Sequence, residues 1–305
     1  MKRQIFLVIV SFLFLANFNG YAQENFLSGD STTSGDVSLT IFNIRPVLLK
    51  KGQMLINFQA ALPNFYKSYS AATGKPEKLP PYLVLSEAYF NGYLTLGLTD
   101  KWNVFVNLPF DDIHHFSPMG EVKGVGFGDI KAGFDYQILD GSKAKDALAA
   151  RLTLGFPTGG YQNLGTTKYP LGLGSFSFEA SLNGMHHYQK ADMIYSAYYT
   201  YRTNRLGVSM GDETGAYLIF RKPINTAYGS FGLEGGAYTY WNFADKKSGS
   251  VLPHTEDYAF NLYAGAWFQY LKKINLRVGL PYSIYQNKSW LTKYQVMVQI
   301  DYLFK

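Results

Sequence analysis

The sequence predicts an all-β protein, a transmembrane antiparallel up-and-down β-barrel of about twelve strands with short periplasmic turns and long extracellular loops. Three observations carry that prediction. The first is the last strand, Lys293 to Phe304, where every even position from Tyr294 onward is apolar or aromatic. The odd positions hold Lys293, Gln295, Gln299 and Asp301, with Met297 and Leu303 as exceptions. A period of two gives a strand one greasy and one wet face. The second is composition: 25 Tyr, 23 Phe and 30 Gly in 305 residues, with a mean hydropathy of −0.10. That aromatic density exceeds what a soluble domain of this length hides, and it suits interfacial girdles. The third is the beginning of the chain. Lys2 and Arg3 precede the apolar run Ile5 to Ala16, and Gly20-Tyr21-Ala22 supplies small residues for a cut. Residues 1–22 therefore read as a secretory signal peptide.

No run of about twenty apolar residues follows, so no transmembrane helix is expected. Cys is absent, which excludes disulfides, thiolate metal sites and lipid attachment through an N-terminal Cys. The formal charge of +6 falls to +4 when Lys2 and Arg3 leave with the signal. It forms no basic stripe, so no nucleic-acid partner is expected. Residues 23–50 begin with a polar stretch and are expected to stay in the periplasm or enter the lumen. Residues 51–305 form the barrel.

Strands are predicted at 52–61, 83–98, 102–110, 127–139, 147–157, 174–187, 192–202, 213–221, 227–241, 257–270, 274–284 and 292–304. In the second, Ala88, Phe90, Leu94, Leu96 and Leu98 share one face, while Glu87, Asn91 and Thr95 share the other. The fourth sets Ile130, Ala132, Phe134, Tyr136 and Ile138 against Asp129, Lys131, Asp135 and Gln137. In the tenth, Tyr258, Phe260, Leu262, Ala264, Ala266, Phe268 and Tyr270 form a stripe with aromatics at both ends, as a bilayer requires. Short connections at 99–101, 140–146, 189–190, 222–226 and 271–273 alternate with long ones at 62–82, 111–126, 158–173, 203–212, 242–256 and 285–291. An even strand count leaves both ends of the barrel on the short-turn side, and closure removes edges that lipid could not satisfy. Pro109, Pro157 and Pro281 fall near upper strand ends and Pro223 in a short turn, where a missing N–H costs little.

The wet faces supply the candidate lumen lining: Glu87, Asp129, Lys131, Asp135, Arg151, Glu179, Arg221, Glu234, Arg277, Lys293 and Asp301, with Asp257 beside them. Both signs are mixed, and a charge inside a narrow barrel must be paired or watered. Tyr89, Tyr93, Phe105, Tyr217, Tyr238, Tyr240, Tyr263 and Trp267 also fall on inward positions, where they either offer a sliding surface or plug the bore. No metal, cofactor or catalytic site is expected. Adjacent histidines on a strand point to opposite faces, so neither His114-His115 nor His186-His187 is built to hold one metal. An enzyme would need His186 to meet a nucleophile such as Ser196 or Ser209, and no nucleophile motif surrounds either serine. Gly124-Val125-Gly126-Phe127-Gly128-Asp129 lacks the following helix and the Gly-Lys-Ser/Thr that a phosphate loop needs.

The segment Gly126 to Leu139 resembles the GxGD signature of the transporter-like outer-membrane family named for the meta-pathway of phenol degradation. Leu152 to Gly159, ending in Pro157-Thr158-Gly159, resembles that family's next strand, and Leu171 to Gly174 resembles its Gly-rich re-entry. Arg45-Pro46 and Lys51-Gly52 are similar to its opening segment. The Tyr-Ala-Gln end of the signal resembles those of Bacteroidetes-type bacteria. The resemblance implies passage of small molecules, hydrophobic or aromatic ones among them, across the bacterial outer membrane. Gly126 and Gly128 would permit the turn, and Asp129 would accept backbone N–H bonds at the strand start. Expected partners are outer-membrane lipid, a small organic solute, and the barrel-assembly machinery through the strand ending at Phe304. Two alternatives stand beside the channel. One is a closed structural or surface-interaction barrel using loops 62–82, with Tyr66, Tyr69 and Tyr82, and 242–256. The other is a lipid-active enzyme.

Overall fold

The computed structural model describes residues 46–70, 75–118, 120–140, 146–160, 169–188, 191–205, 207–226, 229–252, 255–270, 273–287 and 290–304. The expected signal peptide and most of the segment 23–50 lie outside the described residues. Twelve strands make the wall: β1 Met54–Ser70, β2 Val84–Gly97, β3 Trp102–Ser117, β4 Lys131–Leu139, β5 Asp146–Gly155, β6 Ser177–His187, β7 Asp192–Arg202, β8 Glu213–Thr226, β9 Gly229–Asn242, β10 Asp257–Tyr270, β11 Ile274–Asn287 and β12 Trp290–Phe304. Each pairs antiparallel with its neighbours in sequence, and β12 returns to pair with β1 from Met54–Phe304 to Ser68–Trp290. The sheet has no open edge along this wall.

The predicted alternation sets the two faces. On β12, Gln295, Met297, Gln299 and Asp301 are buried, while Tyr294, Ile300, Tyr302 and Phe304 are exposed. On β10, Phe260, Leu262, Phe268 and Tyr270 are exposed, while Asn261, Tyr263 and Trp267 are buried. The wall therefore wears its apolar residues outside and its amides, acids and arginines inside, the reverse of a soluble sandwich.

Several strands run further than predicted. β1 continues to Ser70 and there pairs with the short strand Lys75–Lys78, so the expected long loop 62–82 is largely strand. β3 continues to Ser117 and pairs with a return strand Gly120–Phe127, which carries His114 and His115 on a hairpin and not in a loop. β11 and β12 meet at 287–290 without the expected long loop. Pro223 lies inside β8 opposite Gly232 and not in a turn. Pro109 falls where β3 exchanges partners, above Asn107–Lys131 and below Phe110–Phe127, so its absent N–H is not needed. At the long-loop end, Asn204–Arg205, Val208–Ser209, Lys246–Lys247 and Ser250–Val251 form a separate four-stranded sheet. Ser248 and Gly249, at φ 51° and 83°, make its tight turn.

Candidate functional site: the lumen

The interior is built from inward-facing positions of all twelve strands. Glu87, Asp135, Arg151, Glu234, Arg277 and Asp301 are buried inside the barrel, and Lys131, Glu179 and Arg221 are half-buried there. Two candidates leave that group. Thr292 pairs with Phe65 and Tyr294 with Asn64, so Lys293 is the extra residue of a bulge and turns outward. A bulge shifts the parity of a strand, which is why period-two counting misplaced it. Asp129 precedes β4 and sits among the mouth loops.

Charges inside the wall come in pairs. Arg151 binds Asp135 through Nε at 2.6 Å and Nη2 at 3.2 Å, with its guanidinium 4.4 Å from the Phe105 ring centre. Arg277 Nε donates to Glu234 Oε2 at 2.6 Å, and Tyr263 donates to the same oxygen at 2.9 Å. Arg221 lies 3.6 Å from Asp192 and 4.0 Å from Glu234, stacked 5.1 Å over Trp267. The indole lies against Gly232, where an added Cβ would come within 2.8 Å of its Nε1. Glu87 meets His115 Nε2 at 2.6 Å and accepts from the Tyr89 hydroxyl. Glu179 accepts from Thr200 at 3.5 Å. Buried ions are tolerated only with such partners.

The charge search missed two groups. Arg202, bonded to Glu213 and donating to Asn242 at 3.1 Å, ties three strands at the long-loop end. Its parity with Ile194, Ser196, Tyr198 and Thr200 was visible in the sequence. Asn242 in turn donates to Asp257 at 2.6 Å. The second group is neutral. Asn57, Gln59, Asn91, Asn103, Asn107 and Gln299 are all buried on β12 and β1–β3.

Across the bore stands an aromatic wall. Tyr198, Tyr217 and Tyr238 on β7, β8 and β9 stack at 5.8 and 5.6 Å, with ring planes 22° and 24° apart. They belong to one apolar layer with Tyr89, Ile113, Ile219, Tyr263 and Met297, drawn from strands around the barrel. Tyr169 and Leu171, from the chain before β6, pack against that layer. The Tyr169 ring meets the His115 ring edge-on at 5.0 Å.

Three of the segments that carry the family resemblance meet at Asp129. Its carboxylate accepts the N–H of Gly159 at 2.9 Å and of Leu173 at 2.7 Å. Thr158 Oγ1 accepts the Ile130 N–H at 2.9 Å and donates to Gly128 O at 3.2 Å. A Cβ on Gly159 would stand 2.8 Å from the Gly172 Cα, so the two strands of loop touch only because both are glycine. Asp129 was expected to hold backbone at a strand start; instead Thr158 takes the Ile130 N–H there, and Asp129 holds the β5–β6 loop at Gly159 and Leu173.

At the short-turn end, the Leu48 N–H donates to Gln137 Oε1 and Gln137 Nε2 donates to Pro46 O, both at 2.8 Å. Asn103, with its amide oriented to suit its neighbour, pairs with Leu49 N and O at 3.2 and 3.3 Å. Residues 46–49 thus dock on inward-facing amides at that rim. The described histidines sit at the two ends, each against acid: His114 with Asp112 and Glu121, His115 with Glu87, His186 with Asp146, His187 with Asp192. Ser196 donates to Asn183 at 2.8 Å, and Ser209 lies in the sheet at the opposite end from His186, so the postulated His–Ser pairs are not brought together.

No protein-family model matches the chain, and no curated protein matches it either. Among solved structures, an outer membrane channel from Pseudomonas putida F1 is similar at TM-score 0.70 and 16% identity, over 85% of this chain and 97% of that one. The translocator domain of the autotransporter NalP from Neisseria meningitidis gives 0.47 at 9% identity, over 90% and 100% of the two chains. The β-domain of the Bordetella autotransporter BrkA gives 0.46 at 15%, over 83% and 99%. The first likeness establishes the architecture of an outer-membrane β-barrel, which is the class that the closed wall and its inverted faces define. At that identity the solute is left to the residues of the bore.

Proposed function

We propose that the chain is an outer-membrane channel that passes small organic molecules. The observation that supports this best is the pairing of a closed wall, apolar outside, with an interior of amides, tyrosines and mutually neutralised charges. Paired charges give little preference for ions of one sign, whereas a tyrosine wall facing an amide wall suits uncharged, amphipathic solutes. The resemblance to the phenol meta-pathway family favours the same reading, and rests on the segments gathered at Asp129. The signal peptide, its removal, and delivery to the barrel-assembly machinery through the strand ending at Phe304 complete this reading. Refolded protein tests it. Conductance in planar bilayers and swelling of liposomes in small neutral solutes are expected, and the absence of both overturns it.

One observation favours a second reading, a closed barrel without transport. The apolar layer with Tyr169 and Leu171 crosses the interior. A bore shut by that layer would conduct only after those two side chains are trimmed, whereas a channel conducts with them in place.

A further inference from the structure

We propose that Tyr169–Leu173 is a gate strip lying along the inner face of the wall, and that Asp129 is the latch that seats it. This deepens the channel reading and rests on it. The wall omits side chains where the strip lies. On the return strand Gly120–Phe127, Gly124 pairs with Ile113 and Gly126 with Asp111, both buried, so the two glycines share the inward face. Val125 and Phe127 alternate with them and are exposed on the outward face. A Cβ on Gly124 would stand 2.7 Å from Tyr169 O, and one on Gly128 2.9 Å from Leu171 O. A Cβ on Gly126 would stand 3.1 Å from the Leu171 side chain. Glycine weakens a strand and marks a place where another backbone comes close. Three in alternation, each met by the same strip, make a bed for it.

The bed supports the strip without interlocking with it. Polar anchors stand at its two ends: the Tyr169 N–H donates to Lys123 O at 2.7 Å, and the Leu173 N–H to Asp129 Oδ2 at 2.7 Å. Between them the Leu171 N–H turns to Gly160 O at 2.8 Å, within the same β5–β6 connection and not to the wall. The return strand, by contrast, is paired with β3 along its whole length, from Phe110–Phe127 to Ser117–Gly120. An element anchored at its ends over a smooth surface detaches more readily than a paired strand. Asp129 holds one end of the strip and, through the Gly159 N–H at 2.9 Å, the opposite limb of the connection. Hydrogen bonds to an ionised acceptor are the strong ones, so a carboxylate holds both limbs more firmly than an amide would.

What the strip carries makes it a gate. Tyr169 and Leu171 pack against the apolar layer drawn from strands around the barrel, and the Tyr169 ring meets His115 edge-on at 5.0 Å. With the strip seated, these two side chains narrow the interior at that layer. With the strip lifted they leave it, and the passage widens. Asp129 acts on the solute path only through the strip, which makes it a positioning residue.

Single-channel conductance and thiol labelling of the refolded protein test the latch together. The chain has no native Cys, so His115→Cys reports on the site that the Tyr169 ring meets. Asp129→Ala raises the conductance severalfold. It also raises the rate at which a charged methanethiosulfonate modifies His115→Cys about tenfold, the population shift expected when bonds to a carboxylate are lost. Asp129→Asn keeps one acceptor oxygen and moves both readouts in the same direction by less, which serves if the Ala variant misfolds. Heat-modifiable mobility identifies the folded variants. Conductance and labelling both unchanged in a folded variant overturn the latch. Faster labelling with unchanged conductance overturns the gate and leaves the channel in place. Absence of conductance from every variant and from the unaltered protein overturns the channel reading and the gate together.

Discussion

Arg151 stays inside the wall because Asp135 takes two of its N–H groups while Phe105 covers the guanidinium. Removing one member of such a pair leaves a buried, uncompensated ion. Arg151→Met should therefore cost about 3–5 kcal/mol, while Asp135→Leu with Arg151→Met together should be near neutral. Urea unfolding in micelles measures both; a single substitution as mild as the pair would show that water, not the partner, carries the charge. Lys293 makes the opposite case. As the extra residue of a bulge it points out of the barrel. The chain has no native Cys, so Lys293→Cys can be labelled on its own. A membrane-impermeant maleimide should modify it in liposomes and leave Gln295→Cys unmodified. Equal labelling would return Lys293 to the bore. The sequence showed which residues alternate, and so found most inward charges; it could not show a bulge, because an extra residue changes parity without changing composition.

At the scale of elements, the wall was legible and the loops were not. Alternation over β2, over β10 and over β12 beyond its bulge at Lys293 gave their faces correctly, since period two survives wherever pairing is regular. Strand lengths were underestimated at β1, β3 and β11 because above the girdles the polar residues no longer mark a loop, and at β8 because Pro223 was read as a turn. They pair with hairpins such as Gly120–Phe127. The Asp129 junction was recognisable as Gly-Asp beside a strand. Its actual task, joining Gly159 and Leu173, depends on contacts 30 and 44 residues away that no local pattern records. The amides at Asn57, Asn91 and Asn107 sat on the right parity, but a search for charge passes over neutral groups. The loop tied by Asp129 carries Tyr169 and Leu171 against the apolar layer. Tyr169→Ala with Leu171→Ala should raise single-channel conductance severalfold, to about the range of a wider aqueous constriction. An unchanged conductance places the constriction elsewhere.

For the whole molecule, closure is the controlling event. β12 and β1 pair at the seam from Met54–Phe304 to Ser68–Trp290, and Asp301 bridges it by accepting from Asn57 on one side and Asn275 on the other. Asp301→Leu would strip the donors of their acceptor at that seam. The folded band in heat-modifiable electrophoresis should then convert at a lower temperature, whereas an unshifted conversion would show that backbone pairing alone holds the closure. Beyond the seam, the fold depends on which face meets hydrocarbon. Fluorophores attached at Val296→Cys, Val298→Cys and Ile300→Cys, read against Met297→Cys, Gln299→Cys and Asp301→Cys in vesicles containing nitroxide-labelled lipid, report this directly. The even set should be quenched by lipid and the odd set spared; quenching of the odd set, or of neither, would contradict a wall whose apolar side faces the bilayer.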